Sequence, residues 1–176
     1  DELTTPQAKE TDAIRLMKGF QTTSSPIMSY WSGYGAQGRS QGGLFQGIRA
    51  CNDLIDNIDQ VVDMTQAEKN QWKAEARFLK AYYHFLLLTH YGPIPIIDVN
   101  LPISSDTESV KVSREPVDEV FNYIFSTIDA AIESLPERVS NKNDLGRIDK
   151  VIALAMKSRV ALFYASPFFN GNNELY

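Results

Sequence analysis

From Leu44 onward the chain repeats apolar residues at helical spacing. Leu44, Ile48, Cys51, Ile55, Ile58 and Val62 recur at alternating steps of four and three. That places them on one face of a helix over roughly 44–62. Thr65-Gln66-Ala67-Glu68 is a capping box, in which the Thr and Glu side chains satisfy each other's backbone amides. A second helix therefore opens there and runs to Tyr91, a length of about 40 Å. Its second half, Phe78–Leu88, is apolar on nearly every face and is interrupted by Lys80 and His84. Phe78, Leu79, Tyr82, Phe85 and Leu86 are its expected core residues. Gly92 permits a left-handed cap and Pro93 forbids continuation, so 93–97 is expected to be extended.

Two more helices follow a polar connection over 98–115, within which Val110-Lys111-Val112 reads as a short extended piece. Pro116 suits the first helical position, and Asp118 and Glu119 suit the positive end of the helix dipole. This third helix carries Val117, Val120, Phe121, Ile124, Ile128, Ala131, Ile132 and Leu135 and stops at Pro136. Asp149 is placed to cap a fourth helix over 151–165, apolar on most faces and ended by Pro167. Ahead of all four, 12–20 forms at most a short helix. Residues 21–43 are rich in Ser, Gly and Gln, the chemistry of a loop.

The architecture is therefore all-α: antiparallel helix pairs joined by long loops. The pairs start 73 residues apart, Leu44 to Val117, which is not the 34-residue period of a regular tetratricopeptide array. Any such arrangement is irregular. The chain reads as a single domain with a loop-rich segment (1–43), a helical scaffold (44–166) and a terminal loop (167–176).

Composition narrows the function classes. A net charge of −5 and a pI near 5.0 argue against nucleic acid, which needs a basic face. The single Cys51 excludes an internal disulfide and sits on the apolar face of the first helix, as a small core residue. No apolar run reaches the roughly 18 residues of a membrane-spanning helix.

Candidate chemistry is sparse. His84 and His90 are six apart, on different sides of one helix, and cannot share a metal as i,i+4 pairs do. Structural roles are expected for both. Glu75 has no basic residue three or four positions away, so if buried it needs a partner from another helix or backbone amides. No phosphate-binding, zinc-binding or calcium-binding motif is present, and no cofactor or metal is expected. The chemically richest stretch is Tyr30-Trp31-Ser32-Gly33-Tyr34-Gly35-Ala36-Gln37-Gly38-Arg39. Aromatic rings on such a loop can stack on the apolar faces of sugar rings, while Gln and Arg fix hydroxyl groups. The plainer reading is that the rings plug the end of the bundle. Phe168-Phe169-Asn170 poses the same choice, with less in favour of a ligand.

Five motifs in order carry a resemblance. Ile48-Arg49-Ala50-Cys51-Asn52 is similar to an Ile-x-x-x-Asn helix. Ala74-Glu75-Ala76-Arg77-Phe78-Leu79-Lys80-Ala81-Tyr82-Tyr83, followed by Tyr91-Gly92-Pro93-Ile94-Pro95-Ile96-Ile97, resembles the hallmark of SusD/RagB-type outer-membrane lipoproteins. Ser113-Arg114-Glu115-Pro116-Val117-Asp118-Glu119 resembles that family's Arg-x-Pro-x-Asp-Glu. Gly146-Arg147-Ile148-Asp149-Lys150 resembles its Gly-Arg-x-x-Lys, with Asp149 where Thr is usual. Ser166-Pro167-Phe168-Phe169-Asn170-Gly171 resembles its Ser-Pro-Leu-Phe-Asn-Gly loop. Phe45 stands where an aromatic Trp or Tyr often precedes the Asn helix. The likeness covers roughly 44–171.

The resemblance implies irregular tetratricopeptide-like helix pairs and an N-terminal-to-middle piece of a longer protein. It also implies a non-enzymatic glycan-binding component of a nutrient uptake complex. The expected partners are an oligosaccharide or polysaccharide and a SusC-like TonB-dependent transporter. The expected place is the outer-membrane surface, with membrane contact only through a lipid anchor absent from this chain. Expected ligand-binding residues are Trp31, Tyr34, Tyr30, Gln37 and Arg39. The rival reading is a protein-interaction scaffold whose main ligand is a partner protein such as the transporter.

Overall fold

The computed structural model describes residues 12–24, 26–27, 29–32 and 43–170. The chain divides into two compact units, Asp1–Gln46 and Gly47–Tyr176. In the first, helix α1 (Asp12–Met17) ends in a Schellman turn. Phe20 N–H donates to Arg15 O at 3.0 Å and Gly19 N–H to Leu16 O at 2.9 Å. Gly19 takes the positive φ (73°) that this ending requires.

From Leu44 onward the described elements are all helices. Helix α2 (Leu44–Asn57) passes into a short 3-10 turn over Ile58–Gln60, shorter than the expected reach to Val62. Ile48, Cys51 and Ile58 are buried as the apolar stripe predicts, but Val62 is 98% exposed because the helix has ended before it. Helix α3 (Gln66–Tyr91) starts on the predicted Thr65–Glu68 capping box. Thr65 N–H donates to Glu68 Oε2 at 2.8 Å. At the other end Gly92 N–H donates to Leu88 O. Gly92 has the expected positive φ, 68°, but ψ is −129°. The chain therefore leaves the helix extended rather than curling back.

Helix α4 (Val117–Ile132) follows Pro116, which is the N-cap rather than the first helical residue. Its φ of −52° with ψ of 146° is extended backbone, so the helix begins one residue later than expected. Helix α5 (Lys150–Tyr164) starts on Asp149, whose carboxylate accepts the Ile152 N–H at 2.9 Å. Among the described residues there is no strand. The only pairing outside helices is an antiparallel bridge between Ile94 and Glu115, and the expected extended piece at 110–112 forms none.

Helix α4 packs against both α3 and α5, and its buried face is the centre of the core. Val120, Phe121, Ile124 and Ile128 are fully enclosed, with Leu87 and Leu88 of α3 and Val160 of α5. Phe121 meets Tyr164 at 4.4 Å between ring centroids and Phe169 at 5.2 Å. Phe163 meets Phe85 at 5.6 Å. Such edge-on and tilted contacts favour aromatic pairs beyond their area. Phe169 is thus a packing residue, and Asn170 Nδ2 donates to the carbonyl oxygens of Tyr164 and Ser166 at the end of α5.

Phe78 and Phe85 are core residues as expected, whereas Leu79, Tyr82 and Leu86 are only half-buried. Leu79 and Tyr82 line an open apolar groove with Ile152 and Met156 of α5. Helix α5 buries Ala153, Met156 and Val160 but exposes Val151, Leu154 and Leu162, the pattern of a helix apolar on both sides.

Candidate functional site

The aromatic segment at the end of the first unit has defined packing. Ser29 and Ser32 share a hydroxyl hydrogen bond of 2.8 Å, closing a turn over Tyr30 and Trp31. Tyr30 O accepts the Leu44 N–H at 2.8 Å, which ties the turn to the start of α2. The Trp31 indole sits edge-on to Phe45, 4.9 Å between centroids. Both Tyr30 and Trp31 are half-buried. The other expected ligand residues, Tyr34, Gln37 and Arg39, lie outside the described residues.

A polar cluster inside the helical unit escaped the sequence reading. His84 is fully buried on α3. Its Nε2 accepts the Ile97 N–H at 3.2 Å. An amide can only donate, so Nε2 carries no proton and Nδ1 does. Nδ1–H then donates to Lys80 O at 2.8 Å. The neutral ring thereby fastens the segment after Gly92 to the helix. Burial is the main cause holding its pKa down to about 4, and the Lys80 charge adds to it.

One turn back, Lys80 is buried and its Nζ donates to Asp98 Oδ1 and Asp98 O, both at 3.0 Å. Tyr123 of α4 donates its hydroxyl to the same Oδ1 at 2.9 Å. Burial pushes the Asp98 carboxyl up, but the bonds from Lys80 and Tyr123 and the Lys80 charge outweigh it, leaving its pKa below the ordinary range. Burial, then the neighbouring carboxylate, push Tyr123 far up. The available sequence signal was Lys80 itself, a charge in an apolar run that must find a counter-charge when buried.

The motif residues prove to be further braces. Asn52 is buried, and its amide donates to Asn100 Oδ1 at 3.3 Å. Asn100 in turn donates to Asp53 Oδ1 at 2.7 Å and to Arg49 O. Arg114 donates to Pro93 O at 3.2 Å, beyond the end of α3. Glu75 has a partner on its own helix after all, since Gln71 Nε2 donates to its Oε1 at 3.1 Å. The counter-charge that helix lacks is Arg147, whose Nη2 lies 2.9 Å from Glu75 Oε1 and whose Nε donates to the same carboxylate. The guanidinium also stacks over Trp72 at 4.6 Å, a cation–π contact. Gly146 takes a φ of 98° immediately before Arg147.

Among the described residues no three metal-ligating side chains converge. No described helix is long and apolar enough to cross a membrane.

Fold and braces together define a class, a scaffold of irregular tetratricopeptide-like helix pairs stiffened by internal polar clamps. A family model described as "Starch-binding associating with outer membrane" matches residues 27–162, and the chain belongs to this SusD-like family. A SusD-like protein of Bacteroides ovatus is 25% identical over 122 residues, covering 68% of this chain and 21% of that protein. A solved structure named BT4246 is 34% identical with a TM-score of 0.66, covering 81% of this chain and 25% of that one. A laminarin-binding SusD-like protein shares the fold at 24% identity and a TM-score of 0.63, covering 76% of this chain and 26% of that one. The chain thus spans about a fifth to a quarter of the length of these relatives.

Proposed function

We propose that this chain is part of a surface glycan-binding protein that captures oligosaccharides without cleaving them. It would deliver them to a SusC-like TonB-dependent transporter at the outer membrane, where the protein is held by a lipid anchor. The observation that carries the reading is the family match over 27–162, under a description that names starch binding and the outer membrane. In this reading 1–43 is the ligand-side segment, 44–166 the scaffold and 167–176 a loop. Trp31, Tyr34 and Tyr30 stack on sugar rings, and Gln37 and Arg39 hold hydroxyl groups. The Ser29–Ser32 closure and the Phe45 contact support Trp31 in this role by restricting the ring before a ligand arrives.

The test is titration of the full-length protein with starch, laminarin and other neutral polysaccharides. Binding to at least one is expected, with Trp31→Ala weakening it about tenfold, or about 1.4 kcal/mol. An unchanged affinity removes Trp31 from the site, and no binding to any glycan rejects the reading. One observation favours a second role, as a protein-interaction scaffold for the transporter: the exposed Val151, Leu154 and Leu162 on α5. Large exposed apolar patches mark interaction surfaces. Copurification of the transporter, weakened by Leu154→Glu, is the expected result.

A further inference from the structure

A cleft of about 330 Å³ lies between α3 and α4, inside the range of about 300–1,000 Å³ typical of small-molecule sites. Arg77 and Lys80 line it from α3, Asp98 from the following segment, and Tyr123, Ser126 and Thr127 from α4. The hydrogen-bond inventory separates committed groups from open ones. Lys80 and Tyr123 both donate to Asp98 Oδ1, and Asp98 Oδ2 accepts nothing among the described residues. Ser126 and Thr127 donate their hydroxyl protons to Tyr123 O at 3.0 and 2.7 Å, so their oxygens keep acceptor lone pairs. Arg77 has neither a hydrogen bond nor an ion pair among the described residues, although it lines the same cleft.

Charge decides which ligand these open groups suit. Two cations face one carboxylate, and that carboxylate is already engaged by Lys80. One positive charge, on Arg77, remains without a counter-charge. A neutral sugar would satisfy hydroxyl contacts and leave that guanidinium unmatched. A ligand carboxylate matches its planar fork of donors in two parallel bonds.

We propose that this cleft binds an acidic saccharide, with a uronate carboxylate on Arg77 and sugar hydroxyls on Asp98 Oδ2 and the Ser126 and Thr127 oxygens. The Lys80–Asp98–Tyr123 network holds the acceptor carboxylate in place before binding, which lowers the ordering cost. The site shares no residue with the Tyr30–Arg39 segment and goes beyond the glycan reading given for it.

The test is calorimetric titration of the full-length protein with trigalacturonate and with a hyaluronan tetrasaccharide, using maltotriose as the neutral probe. At least one acidic probe is expected to bind, and to bind more weakly in high salt. Arg77→Gln is expected to weaken that binding about ten- to a hundredfold, the range of a charge-assisted pair, and Arg77→Lys to recover part of it. Arg77 makes no hydrogen bond or ion pair among the described residues, so the variant is expected to melt close to the wild type. Trp31→Ala is expected to leave the Arg77-dependent binding in place. Failure of both acidic probes, or an Arg77→Gln protein that binds them as tightly as wild type, overturns the proposal. Neutral-glycan binding that persists in either case leaves the general glycan reading standing.

Discussion

Acidification should weaken this fold through His84, and the size of the effect follows from its surroundings. The ring is enclosed, and it must be unprotonated at Nε2 to accept the Ile97 amide. Its pKa falls from 6.5 to about 4 on folding. Between those values the unfolded chain holds a proton that the folded chain refuses, so stability is present above 6.5 and is lost as pH falls toward 4. Integrating from pH 7 to pH 5 gives a loss of about 2 kcal/mol from this one residue. Asp98, with its pKa held low by Lys80 and Tyr123, loses stability in the same direction. Tyr123 titrates far above this window, and the Lys80 ammonium, one turn back on the same helix, disfavours a second positive charge on the ring. His84→Gln keeps polar atoms in the site but cannot titrate. Urea unfolding of full-length wild type and His84→Gln at pH 7, 6 and 5 isolates the histidine. The wild type should lose about 2 kcal/mol more than the variant over that range. Parallel pH profiles would refute the assignment of His84 as a neutral, buried acceptor.

Two structural predictions accompany the binding tests of Trp31 and Arg77. On an exposed helix, Gly→Ala stabilises by about 1 kcal/mol. A Cβ at Gly47, however, would stand 2.8 Å from the Tyr83 ring, so Gly47→Ala should lower stability in denaturant unfolding. The added variant Tyr83→Ala should restore the usual gain; a simple stabilisation by Gly47→Ala would show that the contact yields at no cost. Glu75→Ala removes the main counter-charge of Arg147, which is 29% exposed, and should cost about 2 kcal/mol, below the full penalty for a deeply buried pair. Adding Arg147→Met should recover much of that loss in a double-mutant cycle, and strictly additive losses would show that the two residues are not coupled.

Those perturbations also mark what the chain reveals in one dimension. The capping box at Thr65, the stop at Gly92-Pro93 and the cap at Asp149 are local, because each is satisfied within four residues. They were legible for that reason, and with them the helix order and the family motifs. The errors at Val62 and Pro116 are end effects: the apolar register runs on to Val62 after the helix has stopped, and Pro116 accepts the first helical bond while its own backbone stays extended.

The sequence by itself determined that the scaffold from Leu44 onward is helical, and that Glu75 has no basic partner three or four positions away in its own helix. The tertiary structure alone decided that the partner is Arg147, 72 positions away, and that Lys80 meets Asp98. It also decided that Arg77 is left without a counter-charge in a polar cleft. Burial and pairing across loops depend on which surfaces meet in space, and periodicity along one helix carries no record of that.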